Sequence, residues 1–282
     1  NLAFCYFLNK AEVGLWALVS SFFVLAAPLA MLGLPGSFGR YVEMYRQRGQ
    51  LRGFVTRAML WSGLGLAVLC GVLACFHSQT SVWIFGQAIS IAQLWLVLIA
   101  LASVTAFNAT MELLNGLRQP TAVSSMQLSS SIAFSLFAFP VVAYWPSWTA
   151  VVGCYTLAMV IGLVPGLWRL WTRCRTAFHD DQLLDSRDLL RRIAPFAAAV
   201  WLTDLMSNLF DVVDRYMLLH FASASFEINQ ALVGQFHTAR ILPVLFLSLA
   251  TMVSGLLLPY WSQSSEAKQR RDLSRTVTAT IK

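Results

Sequence analysis

The stretch PFAAAVWLTDLMSNLFDVVDRYMLLHF, residues 195–221, decides how the rest of the chain is read. It is long and apolar enough to cross a bilayer. It nevertheless contains Asp204, Asp211, Asp214 and Arg215. On a helix turning about 100° per residue, Asp204, Ser207, Asn208, Asp211, Asp214 and Arg215 fall within about 120° of arc. The rest of the helix surface is hydrocarbon. The segment from Asn229 to Trp261 repeats the pattern more weakly. There Asn229, Gln230, His237, Arg240, Ser248 and Thr251 share one broad face, and Gln235 and Thr238 fall off it. An ionisable side chain at membrane depth costs at least about 2.5–3.5 kcal/mol on insertion scales, so such groups face a bundle interior or a wet cavity. Two readings follow. Either the stripe is an internally paired network, Arg240 with Asp204 or Asp211, or it lines a cavity that handles a polar cargo or a coupling ion.

Composition points the same way. Of 282 residues 57% are hydrophobic and only 12% charged, against about 25% charged in a soluble domain. The mean hydropathy is +0.64. These values predict an all-α integral membrane protein, a multi-helix bundle. The formal charge of +7 does not indicate nucleic acid as a partner, because the basic residues are dispersed among loops without interleaved aromatics. Four of the five cysteines, Cys5, Cys70, Cys75 and Cys154, sit in apolar segments, and Cys174 sits in a basic loop. No pair has metal-ligand spacing, and they read as small hydrophobes. The four histidines are scattered, so no metal site is expected.

Working outward from the charged stretch, further spans are expected at Val13–Leu34, Phe54–Phe76, Val82–Phe107, Ala122–Tyr144 and Thr149–Trp171, with the tail of another at Leu2–Leu8. The loops alternate. HSQTS at 77–81, WPSW at 145–148 and the run from Ala222 to Ile228 are short, and the others are longer and basic. Seventeen of the 20 Lys and Arg residues lie in the second set of loops. Only Lys10 lies in the first, and Arg215 and Arg240 lie within spans. Under the positive-inside rule the basic loops are cytoplasmic and the protein sits in the cytoplasmic membrane. Trp83, Trp145 and Trp148 are expected as anchors at the outer interface, and Tyr41, Tyr45, Trp168, Trp171, Tyr260 and Trp261 at the inner one.

The longest loop, RCRTAFHDDQLLDSRDLLRR at 173–192, reads as an amphipathic helix on the membrane surface, with Ser186 capping its second half and Pro195 opening the next span. It also divides the chain into residues 1–172, a linker at 173–194, and residues 195–282. The chain starts in apolar sequence and ends in SSEAKQRRDLSRTVTATIK, the run-up to another helix. It is therefore expected to be part of a longer protein. Ser124, Gln127, Ser131 and Ser135 share a helix face, as do Thr105, Asn108 and Glu112. Small polar residues in membrane helices serve packing more often than ligands. Glu112 falls close to the expected interface and needs no special role. A faint echo joins Val13-Gly14-Leu15-Trp16 to Val233-Gly234-Gln235-Phe236, and Gly33-Leu34 to Gly255-Leu256, each about 220 residues on.

No Walker loop, nucleophile elbow or HExxH pair is present, and the outer loops are too short for a glycan polymerase or ligase. An enzyme is not expected. Three stretches do resemble one family: EVGLWALVSSFFVLAAPLAMLGLPGSFGRYVEMYRQRG at 12–49, DVVDRY at 211–216, and LVGQFHTARILP at 232–243. In order and sidedness they resemble the polysaccharide flippases of the multidrug/oligosaccharidyl-lipid/polysaccharide (MOP) exporter superfamily. The resemblance implies about twelve helices in two lobes related by a pseudo-twofold axis. Residues 1–172 would be most of the first lobe, and residues 195–282 the start of the second. It further implies movement of polyprenyl-diphosphate-linked glycan between leaflets by alternating access, with envelope polysaccharide assembly proteins as possible partners and the lipid bilayer as surroundings. No cofactor is implied beyond a coupling Na⁺ or H⁺. Arg215 and Arg240 would attract diphosphate or hold ion pairs, and Asp204, Asp211 and Asp214 would pair with them or bind a coupling cation. Asn208 and His237 complete the expected substrate or gate set. Two alternatives remain: a cation-coupled drug or metabolite antiporter of the same superfamily, and a non-transporting membrane protein of envelope synthesis.

Overall fold

The computed structural model describes residues 7–173, 186–222 and 225–266; for residues 173, 186–190 and 251–266 the description is of backbone. Among these residues there are nine α-helices and no strand. They are α1 (Lys10–Met31), α2 (Phe38–Gln47), α3 (Leu51–Cys75), α4 (His77–Phe85), α5 (Ile91–Gly116), α6 (Pro120–Tyr144), α7 (Trp148–Arg173), α8 (Ser186–Phe221) and α9 (Phe226–Glu266). All except α2 and α4 are long and apolar enough to cross a membrane. The protein is an all-α, multi-pass membrane bundle. Its chain falls into two compact units, Ala3–Gln235 and Phe236–Lys282 with Asn1–Leu2, and each is described by itself.

Helix α1 is the axle of the larger unit. In its most apolar window 72% of residues are buried, against 11% for α8. Asn9 starts it by accepting a hydrogen bond from the Lys10 backbone N–H at 2.7 Å. Leu32 and Gly33, both at positive φ, end it. Trp16 and Phe23 on α1 pack around Tyr155 of α7, Trp16 edge-on and Phe23 stacked. Helices α6 and α7 approach closely because Gly162 and Gly166 leave room for Met126: a Cβ at Gly162 would lie 2.7 Å from the Ser130 Cβ, and one at Gly166 would strike the Met126 side chain. This is the small-xxx-small contact of membrane helices.

Helix α2 was expected only as basic loop. Its pattern is nevertheless helical: Phe38, Tyr41, Val42 and Tyr45, at i, i+3, i+4 and i+7, are buried, and Arg40, Arg46 and Gln47 are exposed. Tyr45 stacks on Phe54 of α3 with centroids 4.7 Å apart. The Arg40 guanidinium lies 4.8 Å from the centre of the Phe196 ring. Burial pushes the Tyr45 phenol above its usual pKa, opposed by the Arg192 and Arg48 charges. This end of the unit gathers the basic loops and is called here the Arg-rich end.

Several expected boundaries move. The span expected at Val82–Phe107 is two helices. Gly86, at φ 70°, terminates α4. Ser90 and Gln93 then open α5 with a reciprocal capping box, so the span runs to Gly116 instead of stopping at Phe107. The HSQTS loop at 77–81 is accordingly the first turn of α4, and the His77 Nε2 lies 2.9 Å from the Ile89 carbonyl oxygen. Pro195 does not open a span. It sits inside α8, which starts at Ser186, so 186–194 is no separate surface helix; residues 174–185 of the expected linker lie outside the described residues. A proline removes one hydrogen bond, which a helix near a membrane surface tolerates when water or a neighbour takes the freed carbonyl. Trp83 and Trp145 are 73% and 75% exposed, as anchors should be, but Trp148 is only 3% exposed and stacks on Phe85. Tyr41 and Tyr45 are likewise core residues, whereas Trp168 and Trp171 are exposed. The anchors expected at Tyr260 and Trp261 have side chains outside the described residues. Cys154 is buried and Cys70 half-buried, but Cys75 is exposed, so it is not a core hydrophobe. Cys5 and Cys174 lie outside the described residues.

Candidate functional site

Where α1 ends, Pro28, Gly33, Pro35 and Gly36 line a cavity of about 370 Å³. Helix α5 closes one wall with Asn108 and Glu112, and α8 closes another with Trp201, Asp204 and Asn208. Asn108 and Glu112 are one turn apart on α5, and Asp204 and Asn208 one turn apart on α8, so each helix presents a carboxylate and a carboxamide to the same space. Gly36 holds the turn close to α8: a Cβ there would meet the Val200 Cγ1 at 2.8 Å and stand 4.0 Å from the Asp204 Oδ2.

This wall is rich in acceptors. Two carboxylates and two carboxamide oxygens can take hydrogen bonds from hydroxyl or ammonium donors or coordinate a hard cation. Trp201 lines the same cavity. Among the described residues no group of three or more His, Cys, Asp or Glu is placed to hold a metal ion.

The remainder of the α8 stripe runs toward the other end. Asp211 and Asp214 are exposed, and Arg215 is half-buried. Arg215 donates from Nη1 to the Ser21 Oγ of α1. Ser21 is fully buried and donates its own proton to the Ala17 carbonyl oxygen at 2.7 Å. Beyond this point the larger unit is tied shut. The His220 Nε2 lies 2.9 Å from the Trp83 carbonyl oxygen, the Gln230 Nε2 donates to the Phe85 carbonyl at 2.9 Å, and the Asn229 Nδ2 donates to the Leu219 carbonyl at 2.9 Å. The Glu12 carboxylate accepts from the Trp148 backbone N–H at 2.6 Å, fixing the start of α7 to α1. Apart from Lys10 this end carries no basic loop, and it is called the Arg-poor end.

The structure thus brings Asp204 and Asn208 into one cavity and sets Arg215, further along α8, against Ser21 of α1. His237 and Arg240 belong to the smaller unit. There both His237 ring nitrogens are buried, and the Arg240 guanidinium lies 6.0 Å from the centre of the Phe236 ring. Sequence reasoning missed Glu112 as a cavity residue, along with Asn108, Trp201 and Ser21. The signal for the first two was the Ser90–Gln93 capping pair. Once α5 starts at Ile91, Glu112 lies inside the span instead of beyond it. Ser21 carries no such signal, since a lone serine in an apolar helix is ordinary.

A family model described as polysaccharide biosynthesis protein matches residues 3–265. No curated protein and no solved structure matches the chain.

Proposed function

Because the chain belongs to the polysaccharide biosynthesis family, the polysaccharide flippases of the MOP superfamily, we propose that it carries lipid-linked oligosaccharide across the cytoplasmic membrane by alternating access. The observation that supports this reading is the acceptor-rich cavity at the Arg-rich end. A glycan is a dense array of hydroxyl donors. Glu112, Asp204, Asn108 and Asn208 offer the matching acceptors, and Trp201 offers a flat apolar surface for a sugar ring. The polyprenyl chain can remain in lipid while the head passes along the α8 stripe. With the basic loops cytoplasmic, as the positive-inside rule expects, the cavity opens on the side where such precursors are made. Asp211, Asp214 and Arg215 continue the polar track, and Arg215 meets the diphosphate or holds the far end shut through Ser21. Arg240 and His237, the charged and ring polar groups of the next span, are candidates by the family resemblance alone. The activity is transport, not catalysis.

The two cavity carboxylates favour one further reading, cation-coupled antiport of a small polar solute. The two are separated in the full-length protein in its own membrane, by following lipid-linked glycan reaching the outer leaflet and solute efflux in parallel. Neutralising both acids with Glu112→Gln and Asp204→Asn should lower glycan appearance at least ~10-fold, the loss of about 1.4 kcal/mol or more of binding, at unchanged abundance. Undiminished glycan appearance in the double variant refutes the glycan assignment; lost efflux in its place establishes the antiporter.

A further inference from the structure

We propose that Gly14 and Gly234 form a backbone seam that closes the Arg-poor end and has to part in each cycle, a role that rests on the transport reading above. The contact is reciprocal. A Cβ built on Gly14 would overlap the Gln230 carbonyl oxygen and stand 3.2 Å from the Gly234 nitrogen. A Cβ built on Gly234 would overlap the Lys10 carbonyl oxygen and stand 3.0 Å from the Gly14 nitrogen. Each glycine therefore meets the carbonyl four residues before the other. Gly14 and Gly234 are 220 residues apart, and so are Lys10 and Gln230. Exchanging α1 with α9 turns the contact into itself, as a twofold-related contact must. The weak sequence echo is thus a physical pairing: the two copies of the motif touch each other.

The chemistry of the seam suits a contact that opens. Carbonyl oxygens meet glycine backbone there, an attraction that fades within about 1 Å of separation. Directly beneath it Ala17 and Leu18 of α1 are buried with Leu219 and Val233 in a small apolar cluster of their own. The polar ties around it, Arg215 to Ser21, His220 to Trp83 and Gln230 to Phe85, also join α8 and the start of α9 to α1 and α4 at this end. Parting this end breaks a few hydrogen bonds and leaves the large aromatic core of α1, α5, α6 and α7 intact.

The test uses the full-length chain in its own membrane, with the native cysteines replaced. Ala11 and Ala231 lie three residues before the two glycines, on the same flank of the crossing. An A11C/A231C pair joined by a short bifunctional thiosulfonate should cross-link readily. Appearance of glycan in the outer leaflet should then fall at least ~10-fold and recover on reduction, with either single cysteine inert. In a second arm Ala17→Cys reports the apolar cluster below the seam. An impermeant maleimide applied from outside should label that thiol at least ~10-fold faster when Gly14→Leu wedges the helices apart, and more slowly when the cross-link is closed. Cross-linked protein that still transports at the full rate overturns the proposal, as does labelling of the Ala17→Cys variant that neither perturbation changes. If Gly14→Leu does not accumulate, the reversible cross-link decides alone, since it is made after folding. Labelling at position 17 needs no glycan. A chain whose labelling follows the cross-link but which moves no glycan refutes the cargo and keeps the seam.

Discussion

Replacing Ser21 tests whether the charged stripe on α8 is held by a specific bond or only by burial. Arg215 donates to the Ser21 Oγ, and that hydroxyl donates to the Ala17 carbonyl at 2.7 Å. Ser21→Ala deletes both bonds, and Arg215→Met deletes the first while keeping most of the aliphatic stem. The double variant closes a cycle in which the Ser21–Ala17 bond and every other interaction of Arg215 cancel. What survives is the Arg215–Ser21 term. A hydrogen bond to a charged group contributes about 1.5–3 kcal/mol. Since Arg215 is only half-buried, we expect a coupling near the lower limit, about 1.5 kcal/mol or roughly tenfold in the unfolding equilibrium. Reversible unfolding in mixed micelles, followed by tryptophan fluorescence, gives all four free energies. Additive variants, with a coupling under about 0.5 kcal/mol, would refute the idea that this bond holds α8 to α1.

Two further outcomes check the packing and the end caps. Gly166→Leu should destabilise by about 1–3 kcal/mol, because the added side chain must displace Met126. Combining it with Met126→Ala should restore part of that loss in the same unfolding assay. Glu12→Gln keeps an acceptor for the Trp148 N–H but removes the negative charge at the start of α7. It should cost about 0.3–1 kcal/mol and speed amide exchange in the first turn of α7 while leaving that of α3 unchanged.

The spans and their alternating polarity were legible because membrane insertion imposes them locally. Twenty apolar residues between basic loops admit few other structures. The cavity was half legible. Asp204 and Asn208 stood out because a charge in an apolar segment is expensive wherever the segment packs. Glu112 did not, because its meaning depends on where α5 begins, and the apolar run from Val82 masks the start that Ser90 and Gln93 set. Pro195 misled for a related reason: a proline suits the first turn of a helix, but nothing local forbids eight or nine residues of helix before it. The glycine echo was visible as a repeat, and its contact was not, because a spacing along the chain carries no information about which copies meet in space.

Helix α8 is 36 residues long, about 54 Å end to end. Along this one rod Phe196 sits beneath the Arg40 guanidinium, Asp204 borders the cavity, and Arg215 reaches Ser21. No proline or glycine interrupts the helix between Asp204 and Arg215, so that stretch moves as one stiff piece. A displacement of the cavity wall at Asp204 is therefore carried to Arg215, about 17 Å further along the axis, without any relay of side chains between them.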